Sequence, residues 1–118
     1  MDDAAMRRIV DVLPYGACPL ADVATAGQPD AAAWGVLARE GFKSVVDLRE
    51  PSEPRGHDEV GAIARAGLRY LALPVSHESL ADRQFDVLRD FLGDESNRPS
   101  VVHCQSANRV GALMLPYL

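Results

Sequence analysis

Apolar and polar positions change period several times along the chain, and these changes predict alternating helices and strands. Apolar side chains recur at helical spacing in some stretches, and short β-type runs lie between them. The predicted helices cover residues 4–13, 28–41, 57–66 and 81–92. The predicted strands cover residues 19–26, 42–48, 68–75 and 100–103, and we expect the strand over 19–26 to lie at a sheet edge.

The order of these elements predicts a fold class. Strands that alternate with helices through short loops are typical of an α/β fold with a mostly parallel central sheet and helices on both faces. We expect residues 1–118 to form a single domain. Pro116 would interrupt the helix that follows Arg109, so either the chain is naturally short or residues beyond Leu118 are missing.

Composition narrows the possible partners and the cellular location. A chain of 118 residues that is 47% apolar and 25% charged is typical of a modest soluble domain. The net charge of −5 and the lack of a basic run argue against nucleic acid and anionic membranes as partners. No apolar stretch approaches the roughly 20 residues of a membrane span. The acidic start at Met1-Asp2-Asp3 carries no signal pattern, so we expect a cytoplasmic protein.

The two cysteines have different surroundings. Two cysteines make no disulfide framework, which favours a reducing compartment, and we expect Cys18 to be structural. Cys104 instead follows the short apolar strand over 100–103, which ends at His103, and precedes a polar turn. The carboxyl ends of strands in such sheets are where ligands bind.

The turn after Cys104 carries the parts of a group-transfer site. Free N–H groups at the start of a helix favour a thiolate and can hold an oxyanion. The turn residues are Gln105, Ser106, Ala107 and Asn108, and Arg109 then offers a fork of donors for phosphate or sulfate oxygens. We therefore predict that Cys104 is a nucleophile and that Arg109 binds the anion, with a buried structural cysteine as the alternative.

Other polar residues are candidates for supporting roles. His103 either favours the neighbouring thiolate through its hydrogen bonds or simply supports the turn. A proton donor could come from His77, Glu78 or Asp82 on the loop over 76–82, although these residues could also be solvated loop and cap residues. Asp47 and Arg49 are expected to pair structurally or to line the pocket. The segment 57–59 is typical of a helix N-terminus and has no spacing that indicates a metal site.

Three segments together resemble a known family. They are the Cys104 turn, the stretch Ala24-Thr25-Ala26-Gly27-Gln28-Pro29 and the stretch Val45-Val46-Asp47-Leu48-Arg49-Glu50. From about Cys18 to its end, the chain resembles the bacterial protein tyrosine/dual-specificity phosphatase superfamily, and more narrowly the phosphatase-like domain of beta-lactamase-hydrolase-like proteins. The resemblance implies a phospho-cysteine at Cys104, phosphoryl binding by Arg109, a loop acid at Glu78 or Asp82, and no metal or cofactor.

Two departures from the general signature of this superfamily keep alternatives open. The general signature has five residues between its cysteine and its arginine, whereas four separate Cys104 from Arg109; the narrower subfamily also has four. In addition, Ala107 stands where the signature has glycine. The short turn is also typical of rhodanese-type sulfurtransferases, in which the cysteine carries a persulfide. Three functions therefore stand: a phosphatase for a phosphorylated small molecule or protein, a sulfurtransferase using a sulfur donor, and a non-catalytic anion-binding module. The oligomeric state is not predicted.

Overall fold

A computed structural model describes residues 3–11, 13–20, 22–50, 52–53, 55–75 and 82–104. Four helices lie within this part of the chain: α1 (Asp3–Asp11), α2 (Ala31–Arg39), α3 (Glu59–Arg65) and α4 (Asp82–Gly93). The strands there are β1 (Ala17–Leu20), β2 (Val23–Ala26), β3 (Ser44–Asp47), β4 (Arg69–Ala72) and β5 (Ser100–His103). A short 3-10 helix, Glu95–Asn97, precedes β5.

The strands form one sheet in the order β1-β2-β5-β3-β4. The strand β1 is antiparallel to β2, whereas the pairs β2–β5, β5–β3 and β3–β4 are parallel. The prediction of an α/β fold with a mostly parallel sheet is therefore confirmed. None of the helices in the described ranges is long and apolar enough to cross a membrane.

One predicted element is wrong in its detail. The stretch 19–26 was expected to be a single edge strand, but the chain reverses at Asp22, whose φ is +62°, and forms the antiparallel pair β1 and β2. Only β1 lies at the edge, because β2 pairs with β5 on its other side. A reversal at an Asp is physically reasonable, since its short polar side chain tolerates the left-handed region better than most residues do.

Local capping explains where the helices begin and end. The Asp30 carboxylate accepts hydrogen bonds from the N–H groups of Ala32 and Ala33, so α2 begins directly after it. Asp58 caps α3 in the same way by accepting from the N–H of Gly61, which confirms that the segment 57–59 is a helix N-terminus. Gly67 has a φ of +80° just beyond α3, a conformation that glycine adopts without strain.

Alternation along the strands divides the core between the two faces of the sheet. Val45 and Val101 belong to an apolar cluster with residues of α1, α2 and α3, whereas Val46 and Val102 belong to a second cluster with residues of α4. Helices therefore cover both faces, as expected for strands buried on both sides.

The ends of the strands bring the candidate site together. The N–H of Leu48 donates to the carbonyl of His103, and the N–H of Cys104 donates to the carbonyl of Ala26. Cys104 thus lies at the end of β5, between the ends of β2 and β3. The N–H of Val75 donates to the carbonyl of Leu48, so the chain that follows β4 leaves from the same edge.

Candidate active site around His103 and Cys104

Cys104 lies directly after β5 and is buried, with 1% of its surface exposed. It belongs to the apolar cluster on the α4 face of the sheet, which includes Leu88 and Leu92. Its backbone N–H donates to Ala26, so its position is held by the neighbouring strand. The structure therefore places Cys104 at the predicted edge of the sheet and against the core rather than in open solvent.

His103 precedes Cys104 and lies on the opposite face of the sheet. Its side chain has no exposed surface, and its Nε2 lies 3.0 Å from Oε2 of Glu59 and 3.8 Å from Oδ1 of Asp47. The indole ring of Trp34 packs beside the imidazole, with the ring centroids 5.8 Å apart. The Nδ1 atom is buried and has no hydrogen-bond partner among the described residues.

Asp47 ends β3 and faces His103 across the parallel pair of β3 and β5. One of its carboxylate oxygens accepts from the N–H of Arg49 at 2.9 Å. The other accepts from Nε of Arg55 at 2.9 Å and from the Tyr70 hydroxyl at 2.6 Å. Buried carboxylates need such partners, so Asp47 anchors the loop carrying Arg55 to the sheet.

Glu59 begins α3 and connects His103 to a second set of partners. Its Oε2 faces His103, and its Oε1 accepts from Nε2 of Gln28 at 2.7 Å. The amide oxygen of Gln28 accepts from Nη1 of Arg49 at 2.9 Å, while Nε of Arg49 donates to Glu53 at 3.0 Å. The Gln28 side chain therefore bridges the end of β3 and the start of α3.

The charges and hydrogen bonds of this network shift the pKa values of Asp47 and Tyr70. Burial raises the pKa of the Asp47 carboxyl, but the charge of protonated His103 and the hydrogen bond from Tyr70 lower it, and the net result is a pKa below the usual value. Burial raises the pKa of Tyr70, and the hydrogen bond to ionised Asp47 raises it further. The phenol thus acts as a permanent donor to the carboxylate at neutral pH.

Asp47, Glu59 and His103 also form a group of potential metal ligands, with their ligand atoms within 4.8 Å of one another. Protein donors already occupy these carboxylates, however. Arg55 and Tyr70 donate to Asp47, and Gln28 donates to Glu59. The Arg55 guanidinium, 2.8 Å from Asp47, supplies the positive charge that a cation would otherwise bring.

A cavity of about 390 Å³ lies beside this network, near the ends of β3 and β4. Its wall includes the polar residues Arg49, Arg55 and Tyr70 and the apolar residues Val60, Ala72 and Pro74. His57 also lies in its wall, where its Nε2 accepts from the Trp34 indole at 2.8 Å and its Nδ1 lies 3.1 Å from the carbonyl of Arg55. The Nδ1–H tautomer of His57 satisfies both contacts.

Several predicted site residues lie outside the described residues. These are Arg109, Glu78 and the turn residues Gln105, Ser106, Ala107 and Asn108. Asp82 is described as the first residue of α4, without its side chain. Three features therefore stay predictions: the binding of an oxyanion by the turn residues, the approach of Arg109 to Cys104, and the loop residue that acts as the acid.

The structure adds partners that the sequence did not indicate. His103 was expected to support the turn or the thiolate, but its carboxylate partner Glu59 was assigned only to a helix start. Asp47 could have been paired with His103 in advance, because both residues end adjacent strands on the same face. No local signal indicated Arg55, Tyr70 or Gln28, which reach the site from separate loops and strands.

Comparison of the sequence with known proteins finds relatives of one kind. No family model matches the chain. The chain is 33% identical over 97 residues to a beta-lactamase hydrolase-like protein of Xylella fastidiosa, covering 79% of this chain and 22% of that protein. A second such protein, from Agrobacterium fabrum, is 31% identical over 88 residues, with 71% of this chain and 20% of the relative covered. The chain thus spans about a fifth of the length of these relatives.

Solved structures that share the fold include phosphatases and proteins inferred to be phosphatases. A DUF442 protein of Shewanella putrefaciens CN-32, inferred to be a phosphatase, matches with a TM-score of 0.83 at 19% identity, covering 93% of this chain and 74% of that one. The catalytic core of the S. cerevisiae PP-IP phosphatase SIW14 matches with a TM-score of 0.74 at 14% identity, covering 86% and 63%.

A third structure has a bound phosphoamino acid. TpbA of P. aeruginosa in complex with pTyr matches with a TM-score of 0.64 at 25% identity, covering 80% of this chain and 56% of that one. The resemblance of the chain to the protein tyrosine/dual-specificity phosphatase superfamily, and to beta-lactamase hydrolase-like proteins, is therefore confirmed.

Proposed function

We propose that this protein is a cysteine-dependent phosphatase that hydrolyses phosphate monoesters through a phospho-cysteine at Cys104. The observation that carries the proposal is the position of Cys104. It follows β5 at the carboxyl edge of a parallel sheet, in a fold shared with phosphatase-like structures. Ligands of open parallel sheets bind at this edge. A thiol there, followed by a polar turn and Arg109, meets the requirements of nucleophilic catalysis on an anionic substrate.

The proposed reaction has two steps. The Cys104 thiolate attacks phosphorus, the bond from phosphorus to the ester oxygen breaks, and a loop acid protonates the leaving oxygen. Water then attacks the phospho-cysteine, which releases inorganic phosphate and restores the thiolate. Arg109 and the N–H groups of residues 105–108 would bind the phosphoryl oxygens.

Glu78 and Asp82 are the proposed proton donors. Val75 is held beside Leu48 at the carboxyl edge of the sheet, and the chain of residues 76–81 continues from that point to Asp82. Both candidate acids fall within seven residues of Val75 in the sequence, which supports proposing them for this edge. Glu78→Gln and Asp82→Asn variants, assayed separately, distinguish which of the two protonates the leaving group.

Phosphorylated small molecules and phosphorylated proteins are both proposed substrates. TpbA binds pTyr and SIW14 is a PP-IP phosphatase, so both kinds of substrate occur among the similar structures. The net charge of −5 favours neither nucleic acid nor an anionic membrane as a partner. A cytoplasmic location and a mechanism without metal or cofactor complete the proposal.

A sulfurtransferase is the second candidate function. The spacing of four residues between Cys104 and Arg109 favours it, because a shorter turn encloses a smaller anion. In that reaction Cys104 would take a sulfur atom from a donor such as thiosulfate and carry it as a persulfide. The leaving group of the thiosulfate reaction would be sulfite.

Intact-mass analysis and rapid kinetics test the two functions together. With an aryl phosphate, we expect a burst of phenol release and a mass gain of one phosphoryl group on Cys104, both lost in Cys104→Ser. A Cys18→Ser variant is the matched control and should retain both signals. A mass gain of one sulfur after thiosulfate treatment, without phenol release, would instead favour the sulfurtransferase. Absence of both signals while phosphate still raises the melting temperature would support an anion-binding module.

A further inference from the structure

We propose that the cavity near the ends of β3 and β4 is a second ligand site, which binds a small aromatic carboxylate through Arg49. The cavity volume of about 390 Å³ lies within the range of roughly 300–1,000 Å³ that is usual for small-molecule sites. The proposal goes beyond the phosphatase function and does not rest on it.

The cavity lies on the α3 face of the sheet. Alternate residues of β4 and of the chain after it line the cavity: Tyr70, Ala72 and Pro74. The intervening Leu71 and Leu73 instead belong to the apolar packing on the α4 face, where the Cys104 side chain lies. The sheet therefore separates this cavity from the thiol, and a ligand in the cavity is not a ligand of Cys104.

Arg49 is the residue of the cavity wall that still has a hydrogen-bond donor to offer. It is 5% exposed, and two of its guanidinium nitrogens are used: Nε donates to Glu53 at 3.0 Å, and Nη1 donates to the amide oxygen of Gln28 at 2.9 Å. Nη2 has no acceptor among the described residues. A buried guanidinium with an open N–H group favours an oxygen acceptor, and a carboxylate forms the stronger, charge-assisted bond.

The other cationic and aromatic side chains of the wall already have polar partners. The three nitrogens of the Arg55 guanidinium are directed at protein oxygens, including the Asp47 carboxylate. Both ring nitrogens of His57 are bonded, and the Tyr70 hydroxyl donates to Asp47. These residues can therefore offer a ligand only the surfaces of their planar groups, which pack favourably against an aromatic ring.

The carboxylates of the wall do not oppose an anion at Arg49. Glu59 is 2% exposed, and its two oxygens face Gln28 and His103. Asp58 is exposed and caps α3 through its Oδ1, so water screens its charge. The open donor of Arg49 thus selects an anionic oxygen, and the planar groups beside it select an aromatic ring.

Small probes separate the two parts of this ligand. Benzoate has the ring and the carboxylate, benzamide lacks the charge, and cyclohexanecarboxylate lacks the aromatic ring. We expect saturable benzoate binding in the millimolar range, with benzamide about ten- to a hundredfold weaker. Cyclohexanecarboxylate should bind about two- to tenfold more weakly than benzoate. The measurement is a ¹H–¹⁵N NMR titration, in which the Arg49 Nε–H and the Tyr70 and Ala72 amides should shift.

Filling the cavity is the decisive change. Val60→Trp and Ala72→Trp enlarge exposed side chains of its wall, one from α3 and one from β4, and leave the hydrogen bonds of Arg49 in place. We expect both to abolish saturable benzoate binding. Val87→Trp is the matched control, because Val87 is also a partly exposed valine on a helix but packs on the opposite face of the sheet, on α4. It should bind benzoate with wild-type affinity.

Arg49→Lys tests the guanidinium itself. Lysine keeps the positive charge but lacks the planar set of N–H donors, so we expect benzoate to bind about tenfold more weakly. A thermal unfolding curve shows whether this variant is folded. If it is not, the tryptophan variants still decide, because they leave Arg49 unchanged.

Arg109→Met distinguishes the cavity from the turn after Cys104, and we expect it to bind benzoate like the wild type. Binding lost in Arg109→Met but kept in both cavity-filling variants would place benzoate at that turn and overturn the proposal. So would wild-type affinity in folded Arg49→Lys, equal affinities for benzoate and either of the other probes, or no saturable binding. The phosphatase is decided separately, by the phospho-cysteine that Cys104→Ser should abolish.

Discussion

His103 and Cys104 are neighbours in sequence, but their side chains lie on opposite faces of the sheet in different surroundings. His103 meets Glu59, Asp47 and Trp34 on the face covered by α1, α2 and α3. Cys104 meets an apolar cluster on the α4 face. One face therefore orients polar groups through directional bonds, and the other holds the strand end in place by apolar packing.

This difference has an energetic consequence. Hydrogen bonds to buried charged groups depend strongly on the presence of both partners, because an unpaired buried charge is costly. Apolar packing is not directional, and its loss scales with the volume removed. We therefore expect substitutions in the hydrogen-bonded network around His103 to change both stability and the hydrogen bonds of His103, and truncations in the apolar cluster on the α4 face to lower stability without changing those hydrogen bonds.

The largest effect is expected from Asp47→Ala. This change removes the shared acceptor of Arg55, Tyr70 and the Arg49 N–H, and it leaves the half-buried Arg55 guanidinium with only the more distant carboxylate of Glu59. We expect the free energy of unfolding to fall by about 3–5 kcal/mol, measured by urea denaturation. Asp86→Ala, which removes an exposed carboxylate paired with Arg89, should change it by less than about 0.5 kcal/mol. Equal effects of the two variants would contradict the role of Asp47 as an anchor.

The Leu88→Ala variant tests the apolar cluster on the α4 face, which contains Cys104. Leu88 has no exposed surface and packs in the cluster with Cys104, so its truncation should cost about 2–4 kcal/mol in the free energy of unfolding. The adjacent Val87 is 37% exposed, and Val87→Ala should cost much less. The His103 ¹⁵N shifts should stay at their wild-type values in Leu88→Ala. A tautomer change in that variant would show that the two faces are not independent.

The smallest effect is expected from Tyr70→Phe, which removes one donor from Asp47. We expect a loss of about 1.5 kcal/mol at neutral pH, because Arg55 still neutralises the carboxylate. The pKa of Tyr70 is raised in the folded protein, so its contribution is complete below the usual tyrosine value of about 10. Above that pH the unfolded chain loses the proton first, and stability falls as the pH rises.

A series of urea denaturations between pH 8 and pH 11, with these limits chosen to span the usual tyrosine pKa of about 10, checks this dependence. The wild-type protein should lose stability more steeply than Tyr70→Phe across the upper half of the range. The two curves should approach one another at the alkaline end. Parallel curves would mean that Tyr70 titrates equally in the folded and unfolded chains.

Much of the architecture was predictable because its signals are local. The period of apolar positions identified the helices, and capping residues such as Asp30 and Asp58 lie where the helices begin. The reversal at Asp22 was missed, since a short stretch of small and apolar residues has the same pattern whether it forms one strand or two. The interior position of β2 depends on its pairing with β5, which lies more than seventy residues later in the chain.

The amino-acid sequence by itself determined the α/β class, the mostly parallel sheet and the placement of Cys104 at the end of a strand. Those properties follow from periodicity and from the order of elements, which a linear chain carries in full. Only the tertiary structure brought Glu59, Gln28, Arg55 and Tyr70 around Asp47 and His103. These side chains come from separate loops, strands and helices, and their hydrogen bonds exist only after the sheet has set the distances between them.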